Sequence, residues 1–141
     1  MRFVLFLSFF FISACTTVGY RVKELDRSPQ EIKQAVLSII GEPLETSKNG
    51  RQFRSRYEGR DGSTRINPTE VSERLYSMIT ILGDERPYQL HVQTFSQRRQ
   101  SSGYSKPRYE AEKSKGLGLA IQMRLSQSRG EKNFIDDFRP F

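Results

Sequence analysis

One cysteine, one histidine and no tryptophan stand among the 141 residues of this chain. With Cys15 as the single cysteine, an intrachain disulfide is excluded, and with only His91 beside it the Cys/His sets of structural zinc cannot be assembled. The same shortage argues against Ser–His and Cys–His nucleophilic catalysis. Long apolar runs are missing too. The longest, Phe3 to Ile12, is broken by Ser8 and gives way to polar residues at Thr16. A membrane-spanning helix needs about 20 apolar residues. Acid is scarce against base: 16 Asp and Glu face 23 Lys and Arg, a formal net charge of +7.

What is present starts with that apolar run. Arg2 gives it a short positive leader, its length matches a signal-peptide hydrophobic core, and small residues follow it. The stretch Ile12-Ser13-Ala14-Cys15 resembles the lipobox of bacterial lipoproteins, an aliphatic residue and two small ones before an obligatory cysteine. The resemblance implies that residues 1–14 are a cleaved signal peptide, that processing falls between Ala14 and Cys15, and that the Cys15 thiol carries a diacylglyceryl group. A lipidated thiol neither ligates metal nor acts as a nucleophile. Each buried methylene contributes ~0.8 kcal/mol, and two acyl chains hold a protein at a membrane where one binds only reversibly. The expected protein hangs from a membrane and does not span it.

Thr16 follows the cysteine. In the enteric lipoprotein pattern an aspartate there retains the protein at the inner membrane, so the resemblance implies the periplasmic face of the outer membrane in preference. An exported basic protein meets little nucleic acid. Its anionic partners are lipid head groups, lipopolysaccharide, cell-wall polymers or acidic proteins of an envelope complex. Nothing in the sequence calls for a cofactor or a metal.

Residues 15–27 form the lipidated N-terminus and then either a short tether or a first strand, because Val18, Tyr20 and Val22 alternate. Residues 28–141 read as one α+β domain. Ser28, Pro29 and Glu31 spell an N-cap, a first-turn proline and a capping box. Ile32, Ala35, Val36, Ile39 and Ile40 continue as one apolar stripe, predicted to be core, and Gly41 and Pro43 stop the helix. Lys48-Asn49-Gly50 is a hairpin turn. Beyond it, Phe53, Ser55 and Tyr57 alternate with Arg54 and Arg56, which predicts a strand with an aromatic and a basic face.

Val71 to Leu82 is predicted as a central strand and Tyr88 to Phe95 as another, with His91 on its polar, solvated side. Gln97 to Arg108 reads as a loop. Helical period returns over Tyr109 to Ser128 through Leu117, Ala120, Ile121 and Leu125, with Gly116 and Gly118 marking its start or a close strand approach. The tail Gly130 to Phe141 holds Phe134, Ile135, Phe138 and Phe141, to pack on the domain or on a partner. The expected fold is a small antiparallel sheet with two helices packed on one face, ordered strand or tether, helix, three strands, helix. Such helix-on-sheet architecture loosely resembles domains of envelope-assembly lipoproteins, a likeness that carries no function.

Catalysis finds little support. The carboxylate pairs Asp84-Glu85 and Asp136-Asp137 fall in a turn and the tail, where adjacent side chains diverge and stay solvated. The expectation is a non-catalytic accessory or interaction subunit of the cell envelope. The alternative is a binding module for an anionic envelope ligand, with Arg54 and Arg56 on one sheet face and Arg98 and Arg99 nearby.

Overall fold

The structure, a computed structural model, describes residues 18–136, with side chains as far as residue 128. The lipobox, including Ala14 and Cys15, lies outside the described residues, as do the side chains of Phe134 and Ile135 and the whole of Phe138 and Phe141. Asp136 ends the last helix, and Asp137 lies outside the described residues.

The first helix, α1 (Pro29–Ile40), begins as its sequence dictates. Ser28 Oγ accepts from the Glu31 N–H, and the Glu31 carboxylate accepts from the Ser28 N–H, so two otherwise orphaned donors are satisfied. It ends at Gly41, whose φ of 70° relieves the turn and whose N–H donates to the Leu37 carbonyl. Ile32, Ala35 and Val36 are buried, but Ile39 is 40% exposed and Ile40 half-buried. The apolar stripe is longer than the core it serves, because the end of α1 overhangs a groove described below.

The strands are β1 (Tyr20–Leu25), β2 (Glu45–Thr46), β3 (Gln52–Arg54), β4 (Glu73–Leu82), β5 (Tyr88–Gln100), β6 (Gly103–Tyr104) and β7 (Arg108–Tyr109). A second helix, α2 (Ala111–Asp136), follows. All strand pairs are antiparallel, in the order β1-β5-β4-β3-β2, and β6 and β7 also pair with β5. Both helices pack on one face: α2 lies on β5 and β1, and α1 lies against α2 and β4. The fold is α+β, and the segment open between tether and strand is β1 of its sheet.

Alternation sorts the two faces. Ile79 and Ile81 of β4 and Tyr88, Leu90 and Val92 of β5 are buried towards the helices with Phe53, Ile32, Val36 and Ile121, and Leu75 is buried on the same parity of β4. Gly118 of α2 meets β1 so closely that a Cβ there would lie 2.5 Å from Cδ1 of Tyr20. That close approach is the reason for the glycine; Gly116 has open space instead.

β5 is longer than predicted. Residues 97–100, expected in a loop, continue the strand, because Arg74 and Glu73 pair with Gln97 and Arg98 while Arg99 and Gln100 pair with β6. Polar residues are tolerated at this end, where the strand projects past the helices. Along its other edge, β5 changes partner between Val92, facing Tyr20 of β1, and Phe95, facing Tyr109 of β7. Thr94 sits in the gap. Its N–H donates to Ser114 Oγ of α2 at 2.8 Å, and its carbonyl accepts from the Glu110 N–H.

The β3 side holds a bulge that reverses the predicted faces. Arg54 stands opposite Met78, yet Glu58 stands opposite Leu75, so four steps on one side match three on the other. Ser55 accepts the Ser77 N–H through its side-chain oxygen. Past this point the alternation flips. Tyr57, predicted to share the face of Phe53, instead meets Tyr76 on the opposite side.

Candidate functional site

The helices leave the other face of the sheet open to shorter segments: residues 18 and 19 lie against Gln93 and His91 at one end, the carbonyls of Pro68, Glu70 and Val71 accept from Arg74, Arg99 and Tyr104 at the other, and the middle is a row of rings. Tyr57 meets Tyr76 edge-on at 5.7 Å, Tyr76 meets Phe95 at 5.5 Å, and Phe95 meets Tyr109 at 6.2 Å. Register builds the row: Tyr76 faces Phe95 across β4 and β5, Phe95 faces Tyr109 across β5 and β7, and the bulge delivers Tyr57.

Two arginines lie over rings of this face. The Arg54 guanidinium is 4.7 Å from the Tyr76 ring centre, donates to Tyr57 Oη at 2.8 Å and pairs with Glu45 at 3.3 Å. The Arg74 guanidinium lies 4.2 Å from the Tyr57 ring and 3.7 Å from the Tyr104 ring, and donates to Gln97 Oε1 and the Pro68 carbonyl. Cation–π contact and hydrogen bonds fix both side chains while leaving both charges in place. Burial raises the Tyr76 phenol above its usual pKa, and the cations of Arg54 and Arg74 oppose that rise.

The four arginines expected to act together are separated. Arg54 is on the open face. Arg56 is on the helix side, paired with Glu42, so the expectation of a shared face fails at the bulge. Arg98 is an exposed end residue 3.7 Å from Glu73, on the helix-side parity. Arg99 has the open-face parity and donates to the Glu70 carbonyl. The residue sequence reasoning passed over is Arg74. Its signal was available, since Arg74, Tyr76 and Met78 share a parity on β4.

Two smaller features sit on the helix side. Glu73 accepts two hydrogen bonds from Arg60, at 2.8 and 3.0 Å, and with Arg98 these hold its carboxyl below the usual range. A groove of about 500 Å³ runs between the end of α1, the first half of α2 and the sheet, lined by Ile39, Arg56, Glu58, Gly116 and Leu117 over a floor of Ser55, Ser77 and Thr94. Its hydroxyls are engaged: Ser77 Oγ and Thr94 Oγ1 bond each other at 2.9 Å. Burial pushes the Glu58 carboxyl up, and Lys113 opposes.

His91 keeps the polar parity predicted for it and stays partly exposed, but its ring is not simply solvated. It has the open-face parity, but Gly19 lies directly on its ring, and Nε2 is buried without a hydrogen-bond partner. Burial and the Arg21 charge hold its pKa below the usual value, with the Val18 carbonyl opposing. Asp84, from the turn between β4 and β5, is fully exposed and pairs with Arg51 at 3.4 Å. Among the described residues no three His, Cys, Asp or Glu side chains converge as a metal site. No described helix is long and apolar enough to cross a membrane.

No protein-family model, curated protein or solved structure matches the chain.

Proposed function

We propose that this chain is a lipid-anchored bacterial envelope protein, held through Cys15, whose α+β domain acts without catalysis as an accessory or interaction subunit. The observation that carries the interaction role is the sheet face away from the helices, where Arg54 and Arg74 are stacked on Tyr57, Tyr76 and Tyr104. Aromatic residues and arginine are the side chains enriched where proteins recognise partners, and stacking holds these in place before a partner arrives.

Fractionation of Cys15→Ser tests the anchor. The variant is expected in the soluble fraction while the unaltered chain stays with salt-washed membranes. A serine variant retained in washed membranes would refute lipid anchoring. Cross-linking in intact cells, to protein and to lipid alike, tests the interaction role: adducts formed by the unaltered chain should be lost from Arg54→Gln/Arg74→Gln, and a pattern unchanged by that double substitution rejects the open face as the surface.

A further inference from the structure

The chain enters its fold across the open face. Gln93 donates its side-chain N–H to the Val18 carbonyl, and Gly19 lies on the His91 ring, where a Cβ would fall 1.9 Å from Nε2. Gln93 and His91 share the open-face parity of β5 with Phe95. Residues 18 and 19 therefore reach the sheet on the side away from the helices. Two residues, Thr16 and Thr17, separate Val18 from Cys15, and the three Cα–Cα steps between them extend at most about 11 Å. A lipid on Cys15 starts within that distance of the rim of the open face, whereas the helices lie about 10 Å further off, on the far side of the sheet.

We propose that the open face is seated on the anionic phospholipid head groups of the leaflet that holds the Cys15 lipid. The proposal rests on the anchor reading above and names the surface this face meets. Charge fits it. Arg21, Arg54, Arg74 and Arg99 occupy positions of this face; Glu45 there is paired with Arg54, and Arg74 and Arg99 donate to the neutral carbonyls of Pro68 and Glu70, which leave their charge uncancelled. Guanidinium forks match phosphate oxygens, and basic residues are drawn to an anionic leaflet within a Debye length. The rings fit it as well. Tyr57, Phe95, Tyr104 and Tyr109 are each partly exposed. Tyrosine favours the head-group level of a bilayer, where its ring is shielded and its hydroxyl stays wet. Seated this way, the domain turns α2, with Met123 61% exposed, away from the lipid.

The absence of tryptophan makes the orientation measurable, because a single introduced indole reports alone. Lipidated mature protein carrying Phe95→Trp or Met123→Trp is reconstituted into phosphatidylethanolamine–phosphatidylglycerol vesicles that contain a head-group spin-labelled lipid. Quenching at position 95 is expected to exceed that at 123 by about threefold or more, and to fall when Arg54→Gln/Arg74→Gln is added, when salt is raised or when phosphatidylcholine replaces the anionic lipid. Tyr109→Trp gives a second open-face position if Phe95→Trp lowers the melting temperature. Vesicle flotation separates the two ways to fail. A chain that does not float overturns the anchor and this proposal with it. A chain that floats while position 123 is quenched as strongly as 95 and 109 overturns the seating alone and leaves the open face to a protein partner.

Discussion

Replacing Ser114 with alanine should destabilise the domain although it removes one oxygen from a helix and introduces the best helix former. Ser114 is fully buried, and its Oγ accepts the Thr94 N–H at 2.8 Å where β5 passes from β1 to β7. No strand residue stands there to replace it. An orphaned buried N–H costs about 1–3 kcal/mol. Alanine returns roughly 0.5 kcal/mol of helix propensity. The net loss is about 1–2 kcal/mol, which for a domain of this size is a fall of roughly 4–8 °C in melting temperature. Ser126→Ala, on the same helix with an exposed Oγ bonded to the Met123 carbonyl, is the control and should be neutral or slightly stabilising. Thermal melts followed by circular dichroism give both values, and hydrogen exchange at the Thr94 amide should quicken only in Ser114→Ala. A Ser114→Ala domain that melts at or above the unaltered one, with Thr94 still protected, would refute the role given to this bond.

Gly116→Ala should stabilise by about 1 kcal/mol through helix propensity. Gly118→Ala sets its Cβ against Tyr20, and overpacking of about 1–3 kcal/mol should exceed the same gain, so equal urea midpoints for the pair would contradict the close approach of β1. Ile32→Asp buries an unpaired charge and should abolish cooperative unfolding, while Ile39→Asp, at a 40% exposed site, should keep a folded domain; similar near-ultraviolet spectra for the two would count against the placement of α1. His91 titrates below its ordinary value of 6.5 when folded. On acidification the unfolded chain takes its proton first, so stability is complete above about pH 6.5 and declines as pH falls from there through the folded-state pKa. His91→Gln should flatten the urea-midpoint profile as pH falls below about 6.5, and an unaltered acid slope would assign the decline to other groups.

The elements written in local code were legible. Ser28, Pro29 and Glu31 specify the start of α1 without help from the rest of the chain, and Asn49-Gly50 specifies the turn between β2 and β3. Alternation in Tyr88 to Phe95 correctly assigned every buried residue of that stretch. What failed was any inference carried across a bulge. Nothing in Arg54-Ser55-Arg56-Tyr57 announces an extra residue, because the bulge exists through the backbone of β4 and the Ser55 oxygen that accepts from it. One residue of slip moves every later side chain to the other face. It separated Arg54 from Arg56 and brought Tyr57 to the arginine. Gln97 to Gln100 failed for a related reason, since the partners that hold it as strand are Glu73, Arg74 and β6, distant in sequence or built from two residues. Ile39 was misassigned because a stripe shows which way a helix faces and not where its neighbour ends.

The pairing of β1 with β5 sets a timetable for folding. Tyr20 finds its partner at Val92, and Val22 at Leu90, whereas β4 and β5 are joined by a short turn. Local pairs close early and distant ones wait on loop closure. The β4–β5 hairpin should therefore be the nucleus, with folding rates sensitive to Ile79 and Leu90 and nearly insensitive to Val22. Until the hairpin forms, β1 has no strand to join. A chain that leaves its ribosome from the N-terminus would hold β1 unpaired until nearly all of the sheet has emerged.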